Sequence, residues 1–221
     1  LFPYNTDRLL PVDEFAGLHR WLWPYRTNLG NRATFSKRTY FEEGRAWWEW
    51  HQIALDRITT PLTINFSEVA THNHFVLDRG GNVFKQTAPV IKLPAGASEE
   101  EHLGLLGLLN SSVACFWFQQ VCHNKGGPGG GSSKDEKWHD FFAFNSTKVT
   151  EFPIVAERPH TLARQLDSLA NTLRATQPAA LLVAAADDGN LPNREVLDDA
   201  RKRAASLRRQ MIAAQEELDW Q

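Results

Sequence analysis

The spacing of apolar residues changes twice along this chain. Between residues 13 and 23, Phe15, Leu18 and Leu22 recur on one helical face, with Pro24 placed to end the helix. From Leu62 the period becomes two: Leu62, Ile64 and Phe66 alternate with Thr63, Asn65 and Ser67, the pattern of a half-buried strand. Phe75, Val76 and Leu77 give a second strand, and the Asp-Arg-Gly-Gly-Asn run at 78–82 is a turn. Strands at 83–86 and 89–93 would complete a meander.

Helical spacing then returns. Ser98 and Glu101 form a capping box, in which each side chain satisfies the other residue's free backbone N–H. Leu103 and Leu106 begin the buried face, and Asn110 with Ser111 and Ser112 predicts a break and a fresh start. The next helix, 113–121, is apolar nearly all round, which predicts deep burial. The glycine tract 126–133 is expected to be a loop. It lacks the preceding strand and the Gly-Lys-Ser/Thr helix start of a phosphate cradle. In the tail, Leu197, Ala200, Ala204, Leu207, Met211, Ala214 and Leu218 keep a strict 3-4 spacing, matched upstream by Leu162, Leu166, Leu169 and Leu173. Pro178, Gly189 and Pro192 lie between the two seams and allow an antiparallel fold-back. The expected class is α+β: a mixed module with a small β meander and packed helices, then a helical hairpin projecting from it.

Composition bounds the reading. A chain of 221 residues, 42% hydrophobic and 23% charged, has the makeup of a soluble globular protein with its own core. No run approaches the roughly 20 apolar residues a membrane span requires, so no membrane partner is expected. The sequence opens in mid-phrase on Leu1, without a basic and apolar leader, so a piece of a longer protein is expected. Cys115 and Cys122 lie about 10 Å apart if the helix is straight, too far for a disulfide, which points to free thiols and a cytoplasmic setting. The net charge of −2 does not by itself favour nucleic acid, but cations concentrate between Arg20 and Arg57.

The chemistry is sparse. His72 and His74 would share one side of a strand, yet no CxxC or HExxH supplies further metal ligands, and the contiguous His-Asn-His is not the spacing of an HNH nuclease. Cys122 and His123 diverge by about 100° on a helix, which does not make a thiolate–imidazole pair. Eight tryptophans are the main surplus; most are expected in the core, with a minority free to stack on bases.

One ordered set of motifs carries a resemblance: Trp47-Trp48-Glu49-Trp50-His51, the run 71–81 (THNHFVLDRGG), the run 108–117 (LLNSSVACFW), Cys122-His123-Asn124-Lys125-Gly126, the run 148–153 (KVTEFP) and the run 215–220 (QEELDW). In these the chain resembles the TaqI-like target-recognition region of PglX-type N6-adenine DNA methyltransferases, the kind found in phage growth limitation and BREX defence. The resemblance implies a parent enzyme that uses S-adenosylmethionine. The family's Asn/Asp-Pro-Pro-Tyr/Phe and glycine-bearing cofactor motifs do not occur here, so no catalytic residue and no cofactor is expected in this stretch. It implies residues 1–157 as a DNA-reading module and 158–221 as a helical spacer. The implied partners are double-stranded DNA, the parent's catalytic methyltransferase domain and other defence-system subunits. Polar loop residues are the candidate DNA contacts: Lys37, Arg38, Tyr40, His72, Asn73, His123, Asn124 and Lys125. A protein-interaction module, or a metal-dependent nuclease built on His72, His74 and His123, remains as an alternative.

Overall fold

The computed structural model describes residues 3–5, 8–51, 60–80, 82–84, 87–125, 141–187, 189 and 191–221. They form two compact units, Leu1–Pro61 with Gly80–Val83, and Leu62–Arg79 with Phe84–Gln221. The glycine tract 126–133 and the segment around Arg57 lie outside the described residues.

The first unit opens with a helical run: a 3-10 turn Val12–Phe15, α1 Ala16–Leu22, a second 3-10 turn Trp23–Tyr25 and α2 Arg26–Gly30. As expected, α1 stops ahead of Pro24, at Leu22, and Pro24 itself lies in the first turn of the 3-10 segment that follows. Its missing N–H costs nothing there, because first-turn donors have no intrahelical partner. Gly30 closes the run against Phe41, whose ring carbons would lie 2.1 Å from an added Cβ. Only Gly30 of this run is buried, so Trp21 and Trp23 stand exposed rather than in the core. The interior of the unit is built on Tyr4, Tyr40 and Trp47.

The second unit is α+β. Strand β1 (Thr63–Phe66) is central to an antiparallel sheet, between β3 (Phe75–Asp78) and β4 (Val90–Ile91). The expected strands around Ile64, Phe75 and Val90 all lie in this first sheet, whose order β3-β1-β4 is not that of a meander, and a second small sheet joins β2 (Val69–Ala70), β6 (Phe142–Ala143) and β5 (His123–Asn124). All four β1 residues are buried, including Thr63 and Asn65, where alternation had predicted a half-exposed strand. Asn65 donates to Thr63 Oγ1 at 3.0 Å, and its own Oδ1 has no partner among the described residues.

The capping box at Ser98 and Glu101 opens α3 (Glu99–Leu109) as expected, and Ser111 caps α4 (Ser112–Val121) by accepting from the Ala114 N–H. Ile64, Phe66, Phe75, Leu105, Leu109, Phe118 and Phe144 make the core between sheet and helices. Full burial of a side chain such as Phe118 contributes about 1.5–3 kcal/mol. The prediction of deep burial for α4 fails. Ala114 and Phe118 face the core, whereas Val113 and Phe116 are 65% and 67% exposed. One face docks, and the other stays apolar and bare.

After the short α5 (Ser146–Thr150) come α6 (His160–Ala175), α7 (Pro178–Asp187) and α8 (Arg194–Trp220). An added Cβ at Gly107 of α3 would meet Ala163 Cβ at 3.0 Å and Leu218 Cδ1 at 3.4 Å. The start of α6 and the end of α8 therefore reach the same residue, and the two helices run antiparallel. Close packing of α6 on α3 means that the hairpin does not project, and position 157 falls inside the second unit. No described helix is long and apolar enough to cross a membrane.

Candidate nucleic-acid interface

In the first unit, residues 33–39 form a tight hairpin. Ala33 and Thr39 pair across it, Thr34 N donates to Arg38 O at 2.8 Å, and Lys37 N donates to Thr34 O at 3.0 Å. Lys37 has φ +64°, the left-handed residue that completes a three-residue hairpin loop. The Glu43 carboxylate braces the loop from within, accepting from Thr34 Oγ1 at 2.6 Å and from the Ser36 hydroxyl, and these bonds hold its pKa below the usual carboxylate range. Phe35, Lys37 and Arg38 are exposed on this loop.

Tyr40 has the opposite placement. It is 0% exposed, with the guanidinium carbons of Arg32 and Arg45 at 4.5 Å and 4.4 Å from its ring centroid. Arg32 donates to the carbonyls of Leu29, Trp47 and Glu49, and Arg45 pairs with Glu49. These two cations of the basic stretch hold the unit together, and Tyr40, expected as a DNA contact, is a core residue.

In the second unit, His72, Asn73 and His74 precede β3. Asn73 is buried and donates to Leu109 O at 2.6 Å, tying β3 to the end of α3. Asn110 reinforces the tie by accepting from Phe75 N and donating to Phe75 O, both at 2.9 Å. Asn73 is thus a buried structural asparagine rather than a loop residue offered to a base. His72 and His74 are exposed, their ring centroids 4.0 Å apart, with His72 Nδ1 2.7 Å from Thr71 Oγ1. Burial, and then the neighbouring His72, lowers the His74 pKa. Among the described residues no three His, Cys, Asp or Glu side chains converge as a metal-ligand set.

These histidines border a groove of about 610 Å³ walled by β3, the α3–α4 corner, α6 and α8. Arg79 on its wall is held by Glu99 at 2.6 Å and Asp167 at 2.7 Å, and its pKa is raised by both. Arg174, also on the wall, makes no ion pair among the described residues.

His123 and Asn124, expected in a loop, form edge strand β5, opposite Ala143 and Phe142, and Lys125 N extends the ladder to Phe141 O at 2.6 Å. All three are exposed. Of the eight candidates, Lys37, Arg38 and Tyr40 belong to the first unit and the other five to the second.

Comparison with known proteins adds one strong similarity. The chain is 51% identical over 224 residues, 99% of its own length, to the adenine-specific methyltransferase PglX of Streptomyces coelicolor. It is similar throughout to a part of that enzyme. The chain spans 18% of the PglX sequence. No family model matches.

The sequence reading passed over α8. Arg201, Lys202, Arg203, Arg208 and Arg209 are all exposed. Of these, Lys202 pairs with Asp199, and the four arginines make no ion pair among the described residues. Arg201 and Arg208, like Lys202 and Arg209, are seven residues apart, two turns or about 10 Å along one side of the helix. The spacing of these charges is visible in the sequence itself, between the apolar seam positions of the tail.

Proposed function

We propose that this chain is a DNA target-recognition part of an S-adenosylmethionine-dependent adenine methyltransferase of the PglX kind. Residues 1–157 read the duplex, and 158–221 act as a helical spacer. The observation that carries this is 51% identity across nearly the whole chain to a stretch of a methyltransferase, in a sequence that lacks the methyltransferase motifs of its own. This supports a role in binding rather than in methyl transfer. Cofactor and catalytic groups belong to the rest of the parent, and the defence setting and its other subunits follow from the resemblance alone.

The exposed cations fit this role. Lys37, Arg38, Lys125 and the α8 arginines are suited to phosphates, each contact releasing counterions. Asn124 and the exposed histidines can offer donors and acceptors to base edges, as edge-strand and pre-strand residues. A second reading, docking of protein, is favoured by Val113 and Phe116, and the parent's catalytic domain would be the occupant. The test is duplex binding by fluorescence anisotropy across a salt series. Changing Lys37, Arg38 and Lys125 to alanine should weaken binding on every sequence and flatten the log–log salt slope by about 0.9 per lost phosphate contact. An unchanged slope would remove these residues from the interface.

A further inference from the structure

Phe35 is 85% exposed, the most exposed phenylalanine among the described residues, and it sits on a hairpin loop closed by several hydrogen bonds. A large apolar side chain in water on a floppy loop is unremarked chemistry. On this loop it is held out: Thr34, the preceding residue, is buried, its N–H closes the loop on Arg38 O, and its hydroxyl donates to Glu43. Glu43 fixes Ser36 on the other side. The third loop position, which favours glycine or asparagine, is Lys37 at φ +64°. A lysine there carries backbone strain that glycine would relieve, so the cation is present despite the conformational cost. Arg38 follows directly, so one rigid tip presents an aromatic ring and two cations.

We propose that Phe35 is a wedge that enters the base stack of duplex DNA while Lys37 and Arg38 grip the flanking phosphates. The proposal rests on the DNA-recognition reading above. Apolar side chains inserted between base steps unstack and kink a duplex, and pyrimidine–purine steps yield most readily. The ring provides the wedge, the adjacent cations supply charge complementary to the phosphates, and the braced hairpin means that little ordering is required on binding.

The test uses the 221-residue chain and duplex oligonucleotides carrying 2-aminopurine at pyrimidine–purine steps, with a donor–acceptor dye pair on the ends. Binding should raise 2-aminopurine fluorescence and shorten the end-to-end distance. Phe35→Ala should abolish both signals, weaken binding about 5- to 150-fold and leave the thermal midpoint unchanged. Phe35→Leu should retain part of the signal. Lys37→Gly should raise the thermal midpoint yet weaken binding, with the signal per bound duplex preserved. Binding without any fluorescence change, and with Phe35→Ala equal to the parent sequence, would overturn the wedge and leave DNA recognition standing. Phe35→Ala that spares DNA binding but abolishes association with a methyltransferase domain would assign the ring to protein. Absence of duplex binding at any salt would refute both readings.

Discussion

Asn110 offers the sharpest stability test, because one side chain closes the gap between the sheet and the helix pair. Its amide accepts from Phe75 N and donates to Phe75 O at 2.9 Å each, and so stands in for a neighbouring strand on the outer edge of β3. Phe75 is 4% exposed and its two bonds to Asn110 are part-buried at the wall of the groove, so Asn110→Ala leaves an N–H and a carbonyl that water reaches only from the groove side. At roughly 1–2 kcal/mol for each group, the loss comes to about 2–4 kcal/mol. At roughly 2–4 °C per kcal/mol for a chain of this size, the midpoint of the second unit should fall by about 4–16 °C. Asn110→Asp should be at least as damaging at neutral pH, since a carboxylate would face the Phe75 carbonyl with no proton to donate, and acidification should recover part of the loss. Thermal unfolding followed by hydrogen exchange at the Phe75 amide reads both effects. An Asn110→Ala chain within about 0.5 kcal/mol of the parent, with Phe75 still protected, would refute the reasoning.

His74 is held below its ordinary value of 6.5 by burial and by His72, so the unfolded chain binds the proton first. The stability this confers is present above about pH 6.5 and is lost progressively as pH falls below it, and His74→Gln should flatten that dependence in thermal melts. Burial pushes the Cys122 thiol up, which favours the neutral form and disfavours unfolding only until pH rises through the ordinary thiol range. Under native conditions at mildly alkaline pH, iodoacetamide should therefore modify the half-buried Cys115 well before Cys122, as peptide mapping would show. Gly104→Ala would place a Cβ 2.5 Å from His160 Cε1, so the ring should swing away from Glu100 O and the α3–α6 contact should loosen, measurable as a midpoint drop of a few degrees.

Local signals in the sequence were legible where a few neighbouring residues decide the outcome. The capping box at Ser98, the fresh N-cap at Ser111 and the strand at Phe75 appear where the pattern placed them, and so do the paired seams except at Leu197, which is 41% exposed. Long-range pairing was not legible. The sheet that joins Val69, His123 and Phe142 depends on contacts across dozens of residues, and no local period announces it. The run 178–187 reads as a linker because Pro178 opens it, yet proline is at home in a first helical turn and the alanines and leucines carry the helix on. Polar type alone also could not separate Asn73 and Tyr40, which the fold uses inside, from Lys37 and His123, which it leaves outside. Burial depends on which helix end or arginine happens to lie opposite, and that is a property of the tertiary structure.

The central claim is that this stretch chooses a DNA sequence, and selection from a randomised duplex pool by the purified chain addresses it most directly. Successive rounds of capture at low salt, followed by sequencing, should converge on one short motif, and Asn124→Ala should relax one position of that motif by about 1–3 kcal/mol of discrimination. A pool that stays random through every round, with retention indifferent to salt, would contradict the account.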